Sequence, residues 1–310
     1  MKSINQYISL LLLSIVLVSC SSKDKPNKEE SDITLEELGS GETNNYKLVW
    51  EDLFNGETLD ENTWNIEVNG DGGGNQELQF YREENVSVGK DPNSGRSCLI
   101  LTAKKEQFSG KNATSGRINS QKKKFFKYGK IEASIKLPKT ANGLWPAFWM
   151  MGNDYSTVGW PACGETDILE MGHSKGIANK TQDRFFNGAL HWGKWSPTGS
   201  NPMYAKDFTS SYGLQEDFHL YTLIWDETAI KMYLDLDKNP DVAPYFQMSI
   251  ASTEDDNSPG HYFHKEFFIL FNLAVGGHFP GISNINQVTA LSSGDAKMYV
   301  DYVKVYQKAD

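Results

Sequence analysis

The chain has 310 residues, with 30 Lys and Arg against 40 Asp and Glu, a net charge of −10. That acidity argues against nucleic acid or an anionic membrane surface as partner, and mildly against a polyanionic substrate. No internal repeat is present, and an apolar content of 39% is enough for one large domain rather than two.

In chain order, Lys2 precedes an apolar run over residues 8–18 that is too short to span a bilayer and reads as the core of a signal peptide. It ends at Leu17-Val18-Ser19-Cys20, which resembles a bacterial lipobox and implies cleavage before Cys20 and acylation of its thiol. Residues 21–45 are rich in Ser, Lys, Asp and Glu and read as a flexible tether. Within them Ser21-Ser22-Lys23-Asp24 looks like an export signal of surface lipoproteins. The expected organisation is therefore a signal peptide over 1–20, a tether over 21–45 and a folded domain over 46–310. The expected location is the bacterial envelope, at the outer membrane and open to the surface, with a monomer held only by its lipid.

From Tyr46 onward strand signals dominate. Residues 130–137 and 230–236 alternate apolar with polar, the period of a strand with one covered face. Residues 218–225 form another strand candidate, and 267–274 are continuously apolar, as in a strand covered on both faces. The last candidate, 298–306, sets Val300, Val303 and Val305 among tyrosines. Turn clusters at 69–74 and 254–260 separate such segments, and no long 3.6-residue periodicity appears. These features predict an all-β sandwich, a curved jelly roll with an open cleft on its concave face. Of the three cysteines, lipidation of Cys20 leaves Cys98 and Cys163, whose pairing the sequence leaves open. Neither has a base beside it to make a nucleophile.

The densest chemistry is Glu165-Thr166-Asp167-Ile168-Leu169-Glu170. On a strand, alternate side chains share a face, so Glu165 and Asp167 point together while Glu170 points away. A bulge near Ile168-Leu169 would bring all three to one face. Two carboxyls flanking one bond is the arrangement of glycoside hydrolysis, roughly 5–5.5 Å apart in retaining enzymes. The alternative is an acid-decorated, solvated strand end. Aromatic neighbours favour the first reading: Trp145 and Trp149 before the triad, Trp160 just ahead of it, and His191, Trp192 and Trp195 after it. Aromatic rings offer platforms to the apolar faces of sugars.

These pieces resemble glycoside hydrolase family 16, in particular its laminarinase-type endo-β-glucanases. The resemblance runs from about Leu48 to Tyr306. It rests on Asn75-Gln76-Glu77-Leu78-Gln79-Phe80-Tyr81, Ser115-Gly116-Arg117-Ile118, Trp160-Pro161-Ala162-Cys163-Gly164 with the triad, Leu190-His191-Trp192 and Asn272-Leu273-Ala274-Val275-Gly276-Gly277. It implies Glu165 as nucleophile, Glu170 as acid/base and Asp167 as a hydrogen-bonding partner of the nucleophile. It also implies glucan contacts from Asn75, Arg117, Trp145 and Trp149. His191 is a candidate beside the acid/base, with a core histidine as the competing reading. Relatives carry a calcium-holding Glu where Leu53 stands, with an Asp matching Asp301. With Leu53 the usual first ligand is missing, so neither metal nor cofactor is expected. His278-Phe279 replaces a more usual Asn-Trp at one cleft edge.

The expected activity is retaining, endo-acting hydrolysis of β-1,3-glucan, mixed-linkage β-1,3/1,4-glucan, or both. The alternatives are a galactan-active family member and a glucan-binding surface lipoprotein without catalysis.

Overall fold

Two antiparallel sheets face each other, and the two-residue period of their strands decides which side chains lie between them. The computed structural model describes residues 46–196 and 201–309; the signal peptide, Cys20 and the tether lie outside the described residues. In chain order the strands begin with β1 (Tyr46–Asp52), β2 (Asn65–Ile66), β3 (Gln79–Tyr81), β4 (Val86–Lys90), β5 (Ser97–Ala103) and β6 (Ala113–Ser115). Next come β7 (Arg117–Asn119), β8 (Phe125–Phe126), β9 (Gly129–Lys136), β10 (Leu144–Gly152), β11 (Glu165–Met171) and β12 (Phe185–His191). The rest are β13 (Met203–Thr209), β14 (Phe218–Trp225), β15 (Ala229–Leu234), β16 (Phe246–Ser249), β17 (Phe267–Val275) and β18 (Ala296–Lys308). The α-helices among the described residues, α1 (Tyr155–Val158) and α2 (Ser174–Asn179), are short, as the absence of helical periodicity requires.

One sheet runs β16-β15-β14-β9-β18-β5-β4, with β1 added on β18. The other runs β13-β12-β11-β10-β17-β7-β2, with β8 added on β17. This is the expected all-β sandwich. Its core is aromatic where the cleft sheet meets its partner. Phe148 stacks on Phe271 at 4.8 Å, and Phe186 packs edge-on against Tyr221 and Tyr245. Each large apolar side chain removed from water here contributes about 1.5–3 kcal/mol. The run at 267–274 is the buried strand β17, covered on both faces along its whole length.

Two strands depart from the simple alternation. In β9 the polar row Glu132, Ser134 and Lys136 is buried too. The outer face is roofed by long side chains: Lys136 reaches Asp91 at 2.5 Å and lies against the Phe218 and Tyr299 rings. Lysine stems cover apolar surface in this way. The segment expected to continue to residue 236 ends at Leu234, because Asp235 takes a left-handed conformation (φ 52°) and its carboxylate accepts from Leu220 N. Cys98 and Cys163 are separate, buried, free thiols. Burial pushes each up to about 12, which keeps both as inert thiols.

Candidate active site

The register of the cleft sheet builds the site in three rows. Glu165 pairs with Met151 on one side and His191 on the other. Asp167 pairs with Trp149 and Ala189, and Glu170 with Ala147 and Asn187. These are alternate residues on β10 and β12, so they share one face, and all of them line a cleft of about 1030 Å³. Glu170 reaches that face because the register slips between Asp167 and Glu170, where two residues of β11 oppose one of β12. Consecutive Ile168 and Leu169 both point into the core and are fully buried. This is the expected bulge, at the expected place.

The bulge is supported from the opposite sheet. The Tyr245 hydroxyl, just ahead of β16, donates to the Ile168 carbonyl, which satisfies a backbone acceptor that the interrupted ladder leaves over. Gly188, the residue facing the bulge, makes room for that ring: a Cβ there would meet Met232 Sδ at 2.7 Å and the Tyr245 ring at 3.2 Å. Gly164, at φ 74°, turns the chain into β11, and a Cβ there would meet the Phe267 ring at 2.9 Å.

The three carboxyls are held differently. Glu170 Oε1 accepts from Trp145 Nε1 at 3.1 Å and Oε2 from Asn187 Nδ2 at 3.0 Å. Asp167 Oδ2 lies 3.4 Å from His191 Nε2, and Glu165 Oε1 lies 4.0 Å from the same nitrogen. Burial raises the pKa of all three acids. For Glu165 the His191 charge is the next influence and opposes that rise; Glu170 adds to it, and Arg117 and Trp160 oppose it. For Glu170 the second influence is the Asp167 charge, which pushes the same way as burial. Burial alone would lower His191, but Asp167, Glu165 and Glu170 outweigh it and raise the imidazole to about 9. A cation thus stands beside Glu165 and Asp167, while Glu170 is held by neutral donors. Ligand atoms of Glu165, Asp167 and His191 lie within 4.8 Å of one another.

Asn75, Arg117, Trp145, Trp149 and Trp160 all border the cleft. Trp145 and Trp149 form its floor, each only 9% exposed. Trp145 stacks on Phe279 at 4.6 Å, and Trp149 Nε1 donates to Asn272 Oδ1 at 2.7 Å. Arg117 pairs with Glu67 at 3.0 Å and lies over the Trp149 ring. The Asn75 side chain donates to Gly73 O at 3.2 Å. His278 and Phe279 both form part of the edge. Three expectations are corrected. Trp195, 65% exposed, is not among the residues that line the cleft. His191 stands at the Glu165 end, not beside Glu170, because the β11–β12 register pairs it with Glu165. Trp192 is no wall of the cleft: it is in the core against Phe263, its indole donating to Asn257 O, since strand alternation turns it away from His191's face.

The profile of glycosyl hydrolases family 16 matches residues 75–244. The chain is 34% identical to glucan endo-1,3-beta-glucosidase A1 of Niallia circulans, over 84% of this chain and 38% of that protein. The chain belongs to glycoside hydrolase family 16. It is also 34% identical to the clotting factor G alpha subunit of Tachypleus tridentatus, over 85% of this chain and 34% of that protein. It therefore spans little more than a third of the length of these two relatives. Among solved structures it resembles the Bacteroides ovatus mixed linkage glucan family-16 protein in complex with a G4G4G3G product. That match has a TM-score of 0.72 and 44% identity, and covers 83% of this chain and all of that one.

At the position where the resemblance leads one to look for calcium, the Leu53 side chain brings no oxygen, and the Asp301 carboxylate is paired with Arg96 at 2.8 Å. Asn187, which lines the cleft and donates to Glu170, escaped the sequence reading. Counting back in twos from His191 along β12 would have found it, on the same face as His191 and Ala189.

Proposed function

We propose that the domain is a retaining, endo-acting β-glucan hydrolase working by double displacement. The observation that carries this reading is the bulge in β11, which sets Glu165 and Glu170 on one cleft wall with Asp167 between them. Glu165, next to the His191 cation, is the group favoured to be ionised and to attack the anomeric carbon. Glu170, buried among neutral donors and next to the Asp167 charge, is the group favoured to hold a proton for the departing oxygen. Water, deprotonated by Glu170, then releases the sugar from Glu165 with the configuration retained. Asn75, Arg117, Trp145 and Trp149 bind the glucan.

Both acids are present, which a binding-only protein does not need. Besides the three acids on β11, the cleft carries Glu67, Asp71, Glu77 and Asp207 against Arg117, Lys175 and the His191 cation, a balance that opposes sulfated galactans. Similarity to the mixed linkage glucan protein at 44% identity supports mixed-linkage β-1,3/1,4-glucan, with β-1,3-glucan the second substrate. Cys20 in its lipobox-like setting supports a lipid anchor at the bacterial envelope, with the tether spacing the domain from the membrane.

Laminarin, barley β-glucan and lichenan offered side by side, with the first-formed anomer followed by NMR, test substrate and stereochemistry together. Retention is expected, as are internal cuts and fastest turnover on the mixed-linkage chains; inversion would reject the mechanism. Glu165→Gln should lower turnover roughly 10³-fold or more while oligosaccharide binding persists, and near-normal turnover would remove Glu165 from its role.

A further inference from the structure

Double displacement requires Glu170 to lose and regain a proton in every cycle, and the role of Asn187 rests on that reading of the cleft. The two oxygens of Glu170 are served by unlike partners. Trp145 Nε1, at 3.1 Å from Oε1, can only donate. Asn187, at 3.0 Å from Oε2, carries a donor at one end of its amide and an acceptor at the other. The contact is fixed by register, since Glu170 and Asn187 are cross-strand partners, and Asn187 is 4% exposed. The far end of that amide, Oδ1, is buried without a hydrogen-bond partner among the described residues. Folded chains rarely leave a buried oxygen orphaned. A backbone N–H on Oδ1 would have locked the amide as a permanent donor. No described residue locks it, so half a turn about the last side-chain bond exchanges N–H for C=O against Glu170.

We propose that Asn187 is a positioning residue for Glu170, its amide donating to the carboxylate and turning to accept from the neutral acid as the proton leaves and returns. In the first step Glu165 forms a bond to the anomeric carbon while the glycosidic C–O bond breaks. The Glu170 O–H swings from Oδ1 to the departing oxygen and gives its proton there, and the amide turns so that Nδ2 closes on the carboxylate left behind. In the second step water bonds to the anomeric carbon and its proton passes to Glu170. The electrons of the sugar–Glu165 bond return to Glu165, and the amide turns back to present Oδ1. Trp145 can only donate: it serves Oε1 of either form but binds the carboxylate more strongly, so it favours the ionised form.

The two neighbours of Glu170 therefore differ in what their loss does. Asn187→Leu removes a partner of both protonation states, so kcat should fall about tenfold or more at every pH. The basic limb of kcat/KM should then stay within about 0.3 unit of wild type. Trp145→Phe removes a donor that binds the ionised state more strongly than the neutral one, so its basic limb should move up by about one unit. Melting followed by circular dichroism establishes that each variant folds, and Asn187→Ala supplies the same comparison if the Leu variant does not. A basic limb that rises in the Asn187 variants as it does in Trp145→Phe makes Asn187 a fixed donor and overturns the proposal. An unchanged kcat overturns it as well. Labelling of wild-type Glu165 by an activated 2-fluoro glycoside separates the two levels. Failure to label undoes double displacement itself, whereas labelling with a shifted Asn187 limb undoes only the role of Asn187.

Discussion

His191 is the cation around which the carboxylates gather. With Asp167 at 3.4 Å and Glu165 at 4.0 Å, its imidazole is raised to about 9 and carries charge at neutral pH. A positive charge this close favours the ionised form of Glu165. His191→Gln keeps the shape and removes the charge, so the Glu165 pKa should climb further. The nucleophile works only when ionised, so activity is lost as pH falls through that pKa. The acid limb of kcat/KM should therefore move to higher pH by about one unit, and an acid limb left in place would deny His191 this influence. The sequence made Glu165, Asp167 and Glu170 legible because their spacing obeys the strand period plus one residue. It put His191 at the wrong end because nothing in a linear sequence sets β11 against β12. Asn187 stayed hidden for the same reason, its importance coming wholly from the residue across the ladder.

At the scale of the element, β11 works because its bulge is braced. Consecutive Ile168 and Leu169 are both buried in the core, and the Ile168 carbonyl is met by Tyr245. Tyr245→Phe leaves that carbonyl buried and unpaired, which costs about 1–3 kcal/mol. For a domain of this size the melting temperature should fall by about 2–4 °C per kcal/mol, and kcat should fall with it as Glu170 loses its bearing. Thermal melts and initial rates on the same preparation check both. If neither changes, the bulge is held by strand pairing alone. The bulge itself could be counted from residue spacing. Its brace could not, because Tyr245 lies 77 residues further along the chain, and Gly188, which makes space for it, looks from the sequence like any strand glycine.

At the scale of the whole molecule, the sequence reading succeeded where the local period was clean. The continuous apolar run became the doubly covered strand β17, and the alternating stretches became β9 and β15. Strand order was not legible: β10 lies beside β17 and β9 beside β18, pairings between distant segments that no local pattern announces. The buried polar row of β9 was equally out of reach, since its cover comes from side chains on β14 and β18. The proposed anchor belongs to this scale too. Cys20→Ala should move the protein from the membrane fraction to the soluble one without changing glucan hydrolysis. Unaltered fractionation would reject lipidation as the tether.

Tyr245 spans the gap between the layers to hold the strand that carries the acid. The geometry of catalysis is thereby tied to the thickness of the sandwich, not just to the ladder within one sheet. A sandwich that swells on warming would lose its proton donor while every strand was still paired, so the upper temperature of the proposed hydrolysis would be set by inter-sheet packing, below the point at which the chain unfolds.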